Sequence, residues 1–180
     1  MTKESKFNEL IKPFLVLVGI CLVVSVLLGY THKVTAPVIA QNEFAQAEAT
    51  RKAVLKGSAG FTQVNFGEAQ LKQLDIVSAY KENSGLGYVI TSSHKGYGGS
   101  VRVTVGLDPD GKVLAVSADV STETSGIGSK AGEDKYTKKY VGLSGSADDV
   151  DTISGATYSS TAVKKGVSAA LAAFPTVKGA

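Results

Sequence analysis

Near its carboxyl end the chain reads "DTISGATYSS" over residues 151–160, small hydroxyl residues interrupted by a Gly-Ala step. Just beyond, Val163, Val167, Ala170, Leu171 and Phe174 recur at the spacing of one helical stripe. The tract therefore stands at a helix N-terminus, where backbone N–H groups lack intrahelical partners and the positive end of the helix dipole favours an anion. Thr157 occupies that position, with Gly155 free to adopt positive φ and Ala156 too small to block access. Its hydroxyl can cap the helix, or it can carry a phosphate ester held by the same donors. The residues alone permit either.

Other patterns that resemble chemistry are weaker. "GIGSKAG" over residues 126–132 contains the letters G-x-G-x-x-A, but a dinucleotide site needs a strand, a glycine turn and an apolar helix in a parallel unit. The following "EDKYTKKY" is too polar for such a helix, and the preceding strands read as hairpin-linked. The glycines make either a flexible loop or a backbone surface that a planar ligand can approach. "DPDG" at 108–111 opens like a calcium loop without the later ligands and reads as a hairpin turn. Asp148, Asp149 and Asp151 read as solvated carboxylates, with a transient Mg²⁺ contact to an acting enzyme as the sharper alternative. His94 reads as an exposed turn residue and His32 as interfacial, so no Ser-His-Asp or Cys-His set is available. Cys21 is the single cysteine, which excludes an internal disulfide and a cysteine-based metal or cluster site.

The elements that must position Thr157 follow from patterning. From Phe14 to Tyr30 there is no charge, and at 1.5 Å per residue this run covers roughly 25 Å of a hydrocarbon core about 30 Å thick. Pro13 suits a first helical residue, Lys12 can snorkel, and Tyr30 suits the headgroup level. A cleaved signal is disfavoured, since Pro37 would follow the scissile bond of the small-residue spacing Val34-Thr35-Ala36 and the apolar run is longer than a usual signal core. Lys3, Lys6 and Lys12 precede the span and only Lys33 closely follows it, so a single-pass cell-membrane anchor with a cytoplasmic amino terminus is expected.

Beyond the anchor, helix is favoured from about Val38 to Leu55, with Pro37 as its start or kink. Period-two segments "LDIVSAYKE", "LGYVITSS", "SVRVTVGL" and "KVLAVSADV" then alternate with turn signals, which predicts an antiparallel meander. The final helix, expected from about Ser159 to Phe174 with Pro175 as its stop, would cover the open face. The fold class is α+β, an antiparallel sheet covered by helices with one N-terminal transmembrane helix. Its expected divisions are a cytoplasmic segment 1–12, a transmembrane helix 13–30, a membrane-proximal helical linker 31–57 and an extracytoplasmic domain 58–180. Formal charge is +3, partly from the basic amino terminus, so the exterior part shows no electrostatic footprint for nucleic acid.

Five motifs in order, an amino-terminal membrane helix, "TAPVIAQNE", "GYGGSVRVTVGLDPDGKV", "ETSGIGSK" and "SGATYSSTAV", resemble the FMN-binding family of flavoproteins. Within it the chain is similar to the G subunits of Rnf electron-transport complexes and to the C subunits of sodium-translocating NADH:quinone oxidoreductases. The resemblance implies covalent FMN, esterified through its phosphate to Thr157 by a flavin transferase that uses FAD and Mg²⁺. Asp151, Ser154, Gly155 and Ala156 would form the transferase recognition tract. Glu123, Thr124, Ser125, Gly126, Ile127 and Gly128 would pack near the isoalloxazine ring, with Lys130 close by. Relatives usually carry Pro where this chain has Ser125, and Tyr158 is unusual at its position.

The implied role is an electron relay among other membrane subunits, passing electrons between ferredoxin and NAD⁺ while Na⁺ or H⁺ crosses the membrane. The flavin would carry the redox chemistry and the protein would hold it, so no acid/base residue is expected in this chain. The competing readings are an FMN-bearing donor to a separate reductase, and a tethered module without cofactor in which the hydroxyl tract only caps a helix.

Overall fold

The computed structural model describes residues 3–65 and 74–179, with side chains from residue 11 onward. Of the expected cytoplasmic segment, residues 1–2 lie outside the described residues, as do the side chains of Lys3 and Lys6. Residues 66–73 and 180 of the expected exterior domain lie outside them as well. The chain divides into two compact units, Met1–Ala47 and Glu48–Ala180.

Helix α1 spans Lys3–Val54, with Pro13 and Pro37 inside it. Pro37, expected as the start or kink of a helix from about Val38, does not start one: it lies inside the continuous helix. A proline withdraws one N–H from the ladder, and the strong helix formers after it, rich in Ala, Glu and Gln, resume the ladder at once. The Thr31 and Thr35 hydroxyls donate to the carbonyls of Leu27 and Thr31, at 2.8 Å and 2.9 Å, one turn back. The helix is long and apolar enough to cross a membrane, with a mean hydropathy of 2.6 in its most apolar stretch. Phe14, Leu22 and Leu28 are exposed like the other large apolar side chains there, a surface that lipid solvates better than water does.

Among the described residues, the second unit is built on a five-stranded antiparallel meander. Its strands are β1 Phe61–Gln63, β2 Ile76–Glu82, β3 Tyr88–Lys95, β4 Ser100–Leu107 and β5 Val113–Asp119. Four were expected; β1, three residues long, is too short to carry an alternating signal. Between β4 and β5, Asp108 Oδ1 accepts the N–H groups of Asp110 and Lys112 at 2.9 Å and 2.8 Å, the hairpin turn expected of "DPDG".

Helix α3, Thr157–Gly179, covers one face of the sheet. Val163, Val167, Ala170, Leu171 and Phe174 are all buried, in one cluster with Ile90, Val101, Val103, Val105 and Leu107. The helix passes through Pro175 rather than stopping there. Val177 is buried in the same cluster and Lys178 Nζ donates to the Pro109 carbonyl at 2.8 Å, which holds the last turn against one lost backbone bond. The opposite face is covered too: Val89, flanked by Tyr88 and Ile90 and so pointing the other way, packs with Val54 and Leu55. Only one cover was expected, because period two says which residues share a face and not what lies over it.

Between β5 and α3 the chain forms a 3₁₀ turn at Gly128–Gly132, a short helix α2 at Asp134–Thr137 and a second 3₁₀ turn at Lys138–Tyr140. Tyr136 and Tyr140 are buried, and Tyr140 donates to the Tyr136 hydroxyl at 2.9 Å. Burial, then the Tyr136 hydroxyl, pushes the Tyr140 phenol well above its ordinary range. His94, expected as an exposed turn residue, lies within β3 with its side chain only 9% exposed, Nδ1 3.6 Å from Asp75 Oδ2. Burial pushes its imidazole down, opposed by the Asp75 charge and assisted by Lys165. The strand continues to Lys95, two residues past the expected end, and carries the ring inward.

Glu82 closes the β2–β3 hairpin. Its fully buried carboxylate accepts the N–H groups of Ala59 at 3.0 Å, Ser84 at 2.7 Å and Leu86 at 3.0 Å. Burial opposes the charge, but these bonds outweigh it and hold the carboxyl below its usual range. Glu82→Ala strands three backbone donors at once; we expect a thermal midpoint lower by at least several degrees, readable by circular dichroism. An unchanged midpoint contradicts this account of the hairpin.

Candidate functional site

The site begins at the first turn of α3. The Ala156 carbonyl accepts the Ser160 N–H at 2.9 Å, so Ala156 is the N-cap and Thr157 the first helical residue. Cap and helix start are fixed by a turn in which the Ala156 N–H reaches the Ile153 carbonyl at 2.9 Å and Gly155 sits at φ +80°. That φ suits glycine and disfavours a β-carbon. Fully buried Ser160 locks the turn from below: its Oγ accepts the Ile153 N–H at 3.0 Å and donates to the Ala156 carbonyl at 2.8 Å. The Thr157 side chain is exposed and its hydroxyl makes no hydrogen bond among the described residues. It caps nothing, and the N–H groups of Thr157, Tyr158 and Ser159 have no intrahelical acceptor.

The facing wall is the segment after β5. Glu123 is 7% exposed, and its carboxylate accepts the N–H groups of Tyr97 at 3.1 Å, Gly98 at 3.0 Å and Gly99 at 3.3 Å. The Ser159 hydroxyl donates to the same carboxylate. Burial works against this charge; the Ser159 bond and the three backbone donors outweigh it and hold the carboxyl below its ordinary range. One side chain thus clasps three segments: the β3–β4 turn, its own loop and the first turn of α3. The fit is close, since a β-carbon on Gly98 would stand 2.1 Å from the Thr122 carbonyl oxygen. In "GYGG", then, glycine serves the approach of the Thr122–Glu123 backbone and carboxylate.

Clasped this way, the segments enclose a cavity of about 470 Å³. Thr124, Ile127 and Gly128 form one wall, Gly155 to Ser159 the other, and Tyr97 contributes from the β3–β4 turn. Of the residues implicated by the sequence, Thr157, Gly155, Ala156, Thr124, Ile127 and Gly128 meet at this cavity. Glu123 lies behind its wall, not among the lining. Ser125 and Gly126 are exposed outside it, the Gly126 N–H turned back to Ser129 Oγ at 2.9 Å. Asp151 and Ser154 are exposed on the approach to the turn. Lys130 lines a second cavity of about 380 Å³ with Tyr136, Lys139 and Ile153. Among the described residues, no group of three His, Cys, Asp or Glu side chains is placed to hold a metal.

Sequence reasoning assigned no role to Tyr97, Tyr158 or Ser159. Tyr97 and Tyr158 are large aromatics left 73% and 71% exposed at the cavity, with ring centroids 6.4 Å apart. An aromatic residue in a glycine turn and another beside Thr157 were the available signals.

Chemically, the cavity offers an alcohol and helix-start N–H donors without partners among the described residues, the latter suited to a phosphate, and an apolar, partly aromatic wall suited to a planar ring. Its volume lies within the roughly 300–1,000 Å³ of small-molecule sites. These residues fit a flavin mononucleotide.

Comparison with known proteins gives the same chemistry. The chain is 27% identical to the G subunit of the proton-translocating ferredoxin:NAD(+) oxidoreductase complex of Clostridium ljungdahlii, over 99% of each chain. It is 28% identical to the G subunit of the Na(+)-translocating ferredoxin:NAD(+) oxidoreductase complex of Acetobacterium woodii, over 96% of this chain and 97% of the relative. A third relative, the G subunit of the ion-translocating oxidoreductase complex of Methanosarcina acetivorans, is 29% identical over 88% of this chain and 91% of the relative. Residues 96–172 match the FMN-binding domain family, a span that contains every residue lining the cavity together with the Glu123 clasp. Over residues 96–172 the chain is similar to the FMN-binding domain family.

Proposed function

We propose that this chain is the membrane-anchored flavoprotein subunit of an Rnf-type ferredoxin:NAD⁺ oxidoreductase that translocates Na⁺ or H⁺, with FMN joined through its phosphate to Thr157. The observation that carries this reading is the Thr157 hydroxyl, unengaged among the described residues at the start of α3 on the wall of an FMN-sized cavity. Similarity to G subunits over nearly the full chain supports the wider assignment.

A flavin transferase would load the site from FAD with Mg²⁺. Thr157 Oγ attacks the phosphorus on the FMN side of the pyrophosphate, the bond to the AMP half breaks, and AMP leaves while the hydroxyl proton passes to a base of the transferase. Asp151 and Ser154, exposed beside the turn, are accessible to such an enzyme. The flavin supplies the one- and two-electron chemistry. This chain's own residues hold its phosphate at the helix start, orient its ring and keep the domain at the membrane. Lys12 and the lysines before it favour a cytoplasmic amino terminus, which puts residues 58–180 on the outer side. Other membrane subunits of the complex would be the electron donor and acceptor.

The test is to produce the full chain beside a flavin transferase and solubilise membranes in mild detergent, then to read in-gel flavin fluorescence and copurifying subunits. A fluorescent denatured band accompanied by the other membrane subunits is expected. A band without flavin contradicts the attachment, and a flavin-bearing band that copurifies with a lone soluble reductase contradicts the translocase assignment.

A further inference from the structure

We propose that Tyr97 and Tyr158 form the seat of the isoalloxazine ring, and that this seat favours the oxidised flavin over the reduced one. The inference rests on the covalent-FMN reading above and assigns a role to two residues that neither the hydroxyl chemistry nor the Glu123 clasp requires.

Among the described residues that line the cavity, only these two side chains are aromatic. Both are more than two-thirds exposed, and their rings lie 6.4 Å apart at 50°, a tilted pair with open faces rather than a closed stack. Large aromatic surface left open to water is unfavourable unless something covers it. Yet the backbones beneath are among the most constrained at the site. The Tyr97 N–H is held at 3.1 Å by Glu123, and Tyr158 is fixed in the first turn of α3 between Thr157 and the clasped Ser159. The rings are therefore presented on a rigid frame.

A flavin tethered by its phosphate at Thr157 can bring its ring only to surfaces within reach of the ribityl chain. Of those, the two phenol faces are the ones suited to stacking on a planar, electron-poor ring system. Two-electron reduction makes that ring system electron-rich, so contact with electron-rich phenols weakens. The seat thereby lowers the reduction potential of the bound flavin. Phenol rings in contact with a flavin also quench its fluorescence by donating an electron to the excited ring, with charge recombination restoring both partners.

The test uses the full chain made beside a flavin transferase, as wild type, Tyr97→Leu, Tyr158→Leu and the double variant, with intact mass giving the flavin content of each. Per bound flavin, the double variant should show a severalfold higher fluorescence yield, a longer lifetime, weaker visible circular dichroism and a higher potential in redox titration. Tyr97→Phe should keep the dichroism, because the face remains. Tyr97 lies far in sequence from the attachment turn, so its variants report even if Tyr158→Leu is loaded poorly. One flavin per chain with yield, lifetime, dichroism and potential unchanged in Tyr97→Leu and the double variant overturns the seat alone. A wild-type chain without flavin overturns the reading beneath it.

Discussion

Thr157→Val yields a chain with no covalent flavin and an almost unchanged fold. The proposed ester needs an oxygen at this position, so the expected effect on loading is all or none, whereas the effect on stability is small for reasons visible in the structure. The Thr157 side chain is exposed and its hydroxyl makes no hydrogen bond among the described residues, so valine removes no bond from the fold. Both side chains are β-branched and similar in helix propensity, which keeps the change within about 0.5 kcal/mol. Thr157→Ser keeps the oxygen and should be loaded. In-gel fluorescence and urea unfolding of the three proteins check the pair of claims. Flavin retained by the valine variant places the attachment elsewhere.

The second large effect is expected at Glu123. Glu123→Ala leaves the N–H groups of Tyr97, Gly98 and Gly99 and the Ser159 hydroxyl without their shared acceptor. An unsatisfied buried donor costs about 1–3 kcal/mol, and partial hydration of the turn relieves some of that, so a loss on the order of 3 kcal/mol is expected. The β3–β4 turn and the first turn of α3 would also lose their common tie, so flavin loading should fall as well. Denaturant unfolding and the flavin-to-protein absorbance ratio measure the two losses. A variant as stable and as fully loaded as wild type would show that the clasp is dispensable.

The same residue carries a pH signature. Because its folded carboxyl is held below the ordinary range, the stability tied to its charge is present in full above the unfolded value of about 4.3 and is lost as pH falls through the lower, folded value. Glu123→Gln removes that titration. Its deficit in unfolding free energy relative to wild type should therefore narrow below about pH 4. A deficit that is constant or widening there contradicts the assignment of charge to the folded carboxyl.

What the sequence made legible were features with a local cause. Strand β4 coincides with the alternating run "SVRVTVGL", and the stripe from Val163 to Phe174 is buried as its spacing requires. Thr157 at a helix start follows from Gly155, Ala156 and the apolar repeat after them. What escaped depends on partners far apart in the chain. Glu123 meets donors 24 to 36 residues away, and no period or motif marks a carboxylate as a clasp. The Tyr97–Tyr158 pair exists only once that clasp has closed. Pro175 was read as a stop because a proline costs one backbone bond; there the burial of Val177 and the reach of Lys178 outweigh that cost.

The most direct measurement is intact mass followed by fragmentation of the peptide spanning Asp151 to Lys164, on chain purified from cells that make a flavin transferase. A gain of one FMN less one water, localised to Thr157 and absent from Thr157→Val, is the result this account predicts. An unmodified peptide from those cells, or the added mass on another residue, contradicts it.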